Sequence, residues 1–251
     1  MAISQERSVL LTGAAGRIGS AFYAECKGQF NFRLADKDPE LLERARATGD
    51  EATLLDVAAF EQCARACAGI DTVIHLAADP SPEADFYGSL LENNFQGTYN
   101  IFCAAADAGC RRVVFASSVH AVLGYSDTSP VPETAPVWPV NMYGVSKCCG
   151  EATARKFASS DGLSCIAIRI GAYEAAWIKA DPSPLNLSGY LSPRDMNQLL
   201  CKCIEADGIE FAIVHGVSNN RIKRLSIDET RRLVGYEPVD DGFEKYAPSG
   251  K

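Results

Sequence analysis

Tyr143-Gly-Val-Ser-Lys147 sets a phenol and an ammonium four residues apart, on one face of a helix that the pattern starts near Asn141. A tyrosine titrates near about 10 in water, and a lysine cation beside it favours the phenolate. That brings a proton acceptor toward working pH. Ser118 closes the apolar run RRVVFASS, where its hydroxyl can hold a reacting alcohol against the tyrosine oxygen. Proton transfer at a carbon bearing oxygen is the chemistry these three residues suit, although a Tyr-x-x-x-Lys pair alone also fits a solvated helix face.

A second constellation supplies the missing redox partner. Gly13-Ala-Ala-Gly-Arg-Ile-Gly19 follows an apolar strand and opens a helix, so its backbone can approach a pyrophosphate while the helix N-terminus supplies N–H donors. Gly13, Ala15, Gly16, Arg17, Ile18 and Gly19 are the candidate contacts, in a G-x-x-G-x-x-G spacing that departs from G-x-G-x-x-G. Asp36 ends the next strand, where a carboxylate can accept from ribose hydroxyls and repel a 2′-phosphate, or serve only as a turn residue in ADKDP. The cofactor expected is therefore NAD, with Arg17, Arg33 and Lys37 near enough in sequence to keep NADP open. Asp56 and Val57 end the third strand beside the expected adenine, and Asp56 equally fits a helix cap. A positive nicotinamide would add to the lysine's effect on the phenol.

The elements needed to hold these groups alternate along the chain. SVLLT, NFRLAD, ATLLDV, DTVIHLAA, RRVVFASS, LSCIAIRI and EFAIVHGV read as strands. Helices are expected from about Gly16, from Pro39, near Phe60, from Phe86 to Gly109, from Met142 to Ser159, from Ser192–Pro193, and through Arg231 to Val234. That order predicts an α/β fold, a doubly wound parallel sheet. Residues 1–171 are expected to form the dinucleotide-binding domain, and 172–251 a small substrate-binding portion packed on the same domain, with 172–191 as a functional loop.

Composition narrows the partners. With 251 residues, 47% of them hydrophobic, the chain can bury one substantial core but hardly two. A formal charge of -8 disfavours nucleic acid and anionic membrane surfaces, leaving a small molecule as the expected partner. No run approaches the roughly 18 apolar residues of a membrane span. Val9-Leu10-Leu11 is broken at once by Thr12 and Gly13, so the opening does not read as a signal peptide. The ten cysteines sit within helical and strand segments and read as small buried hydrophobes in a reducing cytoplasm. Neither Cys63/Cys67 nor Cys201/Cys203 is joined by a second pair at zinc spacing, so no metal is expected.

Through TGAAGRIG, HLAA, Asn94, FASS and YGVSK, nearly the whole chain resembles the extended short-chain dehydrogenases/reductases, the NAD-dependent epimerase/dehydratase superfamily. The resemblance implies a Rossmann domain and a nicotinamide cofactor. It makes Tyr143 the acid/base, puts Lys147 on the nicotinamide ribose and gives Ser118 the substrate hydroxyl. It also places Leu76, Ala77 and Ala78 beside the cofactor and Asn94 as a buttress counted with the cofactor set. Within that family HLAADPSPEA, FASSVHAVLGY, YGVSKCCGE, RIGA, LSPRD and GYEP resemble NAD-dependent uronate dehydrogenases and short-chain-type glucose-6-phosphate dehydrogenases. Such enzymes oxidise C1 of a cyclic aldose to a lactone. The family also implies a homodimer through the two long helices.

Two departures bear on the substrate. Val119 stands where the family has asparagine, and the arginine expected before LSxxxS is missing near Leu185. Between Arg169 and Arg194 the only cationic residue is Lys179, which puts an anionic sugar in doubt. Asp79, Ser81, Val119, His120 and Ala172 are candidate substrate contacts alongside Ser118 and Tyr143, with Tyr173 and Trp177 near them. Other readings of the same residues are a sugar epimerase or dehydratase with tightly held NAD, and a nucleotide-binding protein without chemistry. The short stretch after Lys147 argues against the first, and retention of both Tyr143 and Lys147 against the second.

Overall fold

The computed structural model describes residues 7–174 and 176–246, apart from the side chains at 42 and 46. Residues 1–6, read above for a leader, lie outside the described residues. The first half runs β1 (Ser8–Thr12), α1 (Arg17–Cys26), β2 (Asn31–Asp36), α2 (Pro39–Thr48), β3 (Glu51–Leu54), α3 (Phe60–Cys67) and β4 (Thr72–His75). A π-helical segment, Phe86–Gln96, then runs into α4 (Gly97–Asp107), followed by β5 (Arg112–Ser118), α5 (Met142–Asp161) and β6 (Ser164–Ile170). The remainder comprises β7 (Ala172–Tyr173), α6 (Ala176–Ala180), α7 (Pro184–Ser188), β8 (Tyr190–Leu191), α8 (Pro193–Glu205), β9 (Phe211–Gly216), α9 (Asp228–Val234) and α10 (Gly242–Tyr246).

Seven parallel strands pair in the order β3-β2-β1-β4-β5-β6-β9. The period-two geometry of a strand divides their side chains between two cores. Val9, Leu11, Val114, Ile166 and Ile168 face one side with Phe22 of α1 and Leu199 of α8. Leu10, Val113, Phe115, Cys165 and Ala167 face the other, against Cys63, Phe102 and Phe157 of α3, α4 and α5. Both faces are covered, which is why β5 is buried along its whole length. The strand order reverses direction between β1 and β4. The C-terminal ends of β1 and β4 therefore flank a crevice, where doubly wound sheets bind ligands.

Local chemistry sets the helix ends that matter for that crevice. Asn141 caps α5 by accepting from the Gly144 N–H at 2.7 Å, and Gly162 stops it in the left-handed region at φ 68. Ser192 caps α8 ahead of Pro193.

Three features differ from the sequence expectation. The Phe86–Gln96 stretch is π-helical where an ordinary helix was read, since i→i+5 pairing leaves no distinct residue pattern. The 172–191 segment holds the paired β7 and β8 with α6 and α7 between them, elements too short for periodicity to reveal. The brief α10 was not anticipated at all. β9, from the C-terminal portion, pairs directly with β6, so that portion completes the main sheet. Among the described residues no helix is long and apolar enough to cross a membrane.

Candidate active site

A cleft of about 1090 Å³ opens across the C-terminal ends of the strands. At one end Gly13, Ala15, Gly16, Arg17, Ile18 and Gly19 line it. Gly13 lies at φ 70, and a Cβ there would meet the Ala77 nitrogen at 2.8 Å, so only glycine lets this turn sit against the loop after β4. A Cβ on Gly19 would collide with the Gly13 carbonyl, which accounts for the third glycine of the motif. The α1 N-terminus carries no side-chain cap and no acidic residue in its first turn, leaving its N–H groups and dipole for an anion.

Asp36 lines the same end and accepts from the Ala15 N–H at 2.9 Å and the Asp38 N–H at 3.1 Å. The carboxylate is thereby oriented toward the glycine turn, with lone pairs left for hydroxyl donors. Asp56 and Val57 also line the cleft; Asp56 accepts from the Ala58 N–H at 2.9 Å, ahead of α3, whose N-cap Ala59 makes no side-chain bond. Leu76, Ala77 and Ala78 form the floor. A phosphate-ready helix end, a close-approach glycine turn and a carboxylate at the second strand fit a dinucleotide, and Asp36 suits one with a free 2′-hydroxyl.

Ser118, Tyr143 and Lys147 meet on the opposite wall. Gly150, one turn beyond Lys147, lets α5 press against the Phe115 ring of β5, where a Cβ would overlap it. Lys147 Nζ then lies 5.5 Å from the Tyr143 ring centre and 5.3 Å from that of Phe115. Behind them Glu151, next to Gly150 and one turn beyond Lys147, receives Arg169 at 2.8 and 2.9 Å and the Ser117 hydroxyl at 2.6 Å. Breaking such a buried pair from one side costs about 3–5 kcal/mol, so the network ties β5, α5 and β6 together beneath Ser118, Tyr143 and Lys147.

Burial governs the electrostatics of the pair. Burial pushes the Tyr143 phenol above its ordinary value, against a hydrogen bond with Ser118 that lowers it, and the Asp79 charge adds to the rise. Burial also brings the Lys147 ammonium down to about 8. Burial is thus the leading influence on the phenol in the folded chain, one that four-residue spacing does not reveal.

His120 packs edge-on to Tyr143 with ring centres 5.3 Å apart. Its Nδ1 lies 2.9 Å from the Asn141 amide nitrogen, whose partner oxygen is committed to the α5 cap. The cap therefore fixes the tautomer: Nδ1 accepts and Nε2 carries the proton. Burial lowers the His120 pKa, which favours the neutral ring.

Val119, Ala172, Tyr173 and Trp177 reach the cleft, but three predicted residues do not. Asn94 is buried off the wall, its amide accepting from the Asp79 N–H at 2.8 Å and donating to the Asp79 carbonyl at 3.0 Å and Ser146 Oγ at 3.1 Å. It therefore buttresses the loop from behind, while its neighbour Asn93 lines the cleft. The Asp79 carboxylate accepts from the Ser81 N–H at 2.9 Å and the Ser89 hydroxyl, and Ser81 Oγ accepts from the Glu83 N–H at 3.2 Å. Both side chains are used in shaping the segment, while Pro80 and Pro82 face the cleft.

Sequence reasoning also missed Tyr125, Asn186 and Arg224, all on the wall. Arg224 lies in the segment after β9, and the rule that ligands meet the loops beyond parallel strands could have directed attention there. Lys179, the cation noted in the sequence, does not line the cleft and sits 6.0 Å from the Tyr246 ring centre. The ten cysteines are free thiols; six are buried, but Cys149 is exposed and Cys103, Cys148 and Cys201 are intermediate, so the reading of all ten as buried does not hold. Cys149 lies on a solvent-facing position of α5, which helical pattern alone did not distinguish.

A parallel doubly wound sheet with a dinucleotide turn at one end of its cleft and a Tyr/Lys/Ser group along the wall defines a nucleotide-dependent enzyme of Rossmann type. The chain belongs to the NAD dependent epimerase/dehydratase family, whose model matches residues 9–189. It is 37% identical over 256 residues to the NAD-dependent glucose-6-phosphate dehydrogenase of Haloferax volcanii, covering 95% of each chain. It is 32% identical over 259 residues to the L-arabinose 1-dehydrogenase (NAD(P)(+)) of the same organism, covering 93% of this chain and 96% of that one. A solved uronate dehydrogenase from Agrobacterium tumefaciens, a tyrosine-to-alanine variant complexed with NAD, superposes with a TM-score of 0.82 at 28% identity, covering 98% of this chain and 92% of that one.

Proposed function

We propose that the protein is an NAD-dependent sugar dehydrogenase that oxidises the C1 hydroxyl of a cyclic aldose to the lactone. The observation that carries this reading is the convergence of Ser118, Tyr143 and Lys147 on a cleft whose other end is the Gly13–Gly19 turn. Similarity to sugar C1 dehydrogenases over nearly the full chain supports the substrate class.

In this reading the glycine turn and α1 N-terminus hold the pyrophosphate, and Asp36 holds the adenosine ribose. Asp56 and Val57 flank the adenine, and residues 76–78 form the floor beneath the cofactor. Bound NAD supplies the acceptor for the C1 hydrogen with its electron pair. Ser118 and the His120 Nε2–H orient the sugar, and Tyr143 Oη takes the anomeric hydroxyl proton. Lys147 favours the phenolate that accepts this proton and holds the nicotinamide ribose. Val119, Ala172, Tyr173 and Trp177 border the sugar, so residues 172–251 act as the substrate-binding portion on a dinucleotide domain of 1–171.

Incubation of the protein with NAD and a panel of neutral aldoses, uronic acids and sugar phosphates should produce NADH absorbance at 340 nm. Silence across the panel, with cofactor that survives desalting, would indicate an epimerase or dehydratase instead.

Exposed Tyr87, Leu91 and Tyr99 along the Phe86–Asp107 helix, with Met142 at the start of α5, support a homodimer through these helices. Sedimentation at the mass of one chain would refute it. Ten free thiols suit a reducing compartment, and we place the protein in the cytoplasm, which cell fractionation checks.

A further inference from the structure

The sequence offers no cation near Leu185 for an acidic sugar, yet the folded cleft contains one. Arg224 lines it beside Tyr125 and Ser126 and is only 7% exposed. Its Nη1 donates to the Ser126 carbonyl at 2.6 Å and its Nη2 to the Tyr125 carbonyl at 2.7 Å. These partners are neutral. By contrast Arg221, three residues earlier, pairs with Asp241 at 2.9 Å on the surface. Among the described residues no carboxylate forms an ion pair with Arg224. Asp127 acts on it only at longer range, from an exposed position where water screens it.

Holding a guanidinium out of water without a counter-ion is costly. Burial accordingly lowers its pKa. Of the other cations that line the cleft, Arg17 and Lys37 belong to the glycine turn and the end of β2, Arg17 also acting on Tyr173, and Lys147 lies against Tyr143. Two carbonyls fix the guanidinium plane in advance, so a charged oxygen pair can be met without further ordering cost.

We propose that Arg224 is the specificity-determining residue of the sugar subsite, reading an anionic substituent, carboxylate or phosphate, at the end of the aldose remote from C1. The proposal rests on the sugar-dehydrogenase reading above and names its substrate class. It assigns the task to a chain segment distant from the position before LSxxxS where the resemblance led us to look.

The test compares D-glucuronate, glucose 6-phosphate and D-glucose as substrates for the wild type and for Arg224→Gln and Arg224→Lys. Gln keeps a donor for the carbonyls without the charge; Lys keeps the charge without the fork. For whichever anionic sugar is preferred, the ratio of its kcat/KM to that for glucose should fall on the order of 100-fold in Arg224→Gln and less in Arg224→Lys. The preferred arm distinguishes carboxylate from phosphate. Equal losses on all three sugars, or a wild type that favours glucose, would overturn the proposal and leave Arg224 as a clamp on residues 125–126. Calorimetric binding of D-glucuronate and glucose 6-phosphate to NADH-loaded protein tests the arginine independently of turnover. Binding by wild type but not Arg224→Gln supports it even if no NADH forms in the assay, an outcome that would sink only the dehydrogenase reading; equal binding, or none to wild type, refutes it.

Discussion

The dinucleotide end of the cleft is made largely of turns that follow neighbouring strands within the first 78 residues, whereas the sugar end is made of side chains delivered by segments far apart in the chain. At the first end, Gly13 at φ 70 brings the turn against Ala77, and Asp36 bonds the Ala15 N–H. At the second, the 118–127 stretch, the 172–189 segment and Arg224 meet only through the sheet and the loops above it. A backbone site depends on glycine and strand geometry, which tolerate little change. A side-chain site can be retuned one residue at a time, which suits a family whose members differ in the sugar they accept.

The sharpest separation of the two ends comes from Tyr143→Phe. It should lower turnover about 10²- to 10⁴-fold, the range of a lost general base, while NAD binding by calorimetry stays unchanged. Loss of NAD affinity together with turnover would mean that the two ends are not independent. Asp36→Ala should act on the other end alone. Loss of charge-assisted bonds to the ribose and of repulsion toward a 2′-phosphate should shift the NADP to NAD preference by about 10- to 100-fold. Sugar KM values should stay unchanged; an unaltered cofactor preference would remove Asp36 from the ribose role.

The smallest effect concerns acid stability, to which each end contributes a buried histidine. His75, after which the cofactor floor begins, and His215 of β9 are both lowered from 6.5 to about 3, first by burial. The unfolded chain therefore binds a proton at each that the folded one does not, over the window from pH 6.5 down to about 3. Stability should be intact above 6.5 and fall as pH drops through that window, by about 1.4 kcal/mol per pH unit for each histidine. Denaturant melts of His75→Gln and His215→Gln across that range should each show a shallower slope than wild type. An unchanged slope in one variant would show that its histidine is not buried neutral in solution.

Much of this was legible before folding because it is local. Tyr143 and Lys147 share a helix face by spacing, Asn141 and Ser192 cap the helices they precede, and the glycine turn follows its strand directly. Where the fold places residues away from the cleft, the missing information was a partner. Asn94 and Asp79 are chemically able to touch a ligand, but each spends its polar atoms on the other's neighbourhood. Burial of the Tyr143 phenol likewise escapes the sequence, since spacing reveals the lysine but not the depth of burial.

Chain order and residue pattern were thus sufficient for the parallel sheet, the glycine turn and the shared helix face of Tyr143 and Lys147, because each depends on contacts within a turn or two or on strand alternation. The charge facing the sugar was settled by folding. Arg224 lies 106 residues beyond Ser118 in the chain, and its partners, its burial and the lack of an ion pair exist only once β9 has paired with β6 and carried the following segment to the cleft.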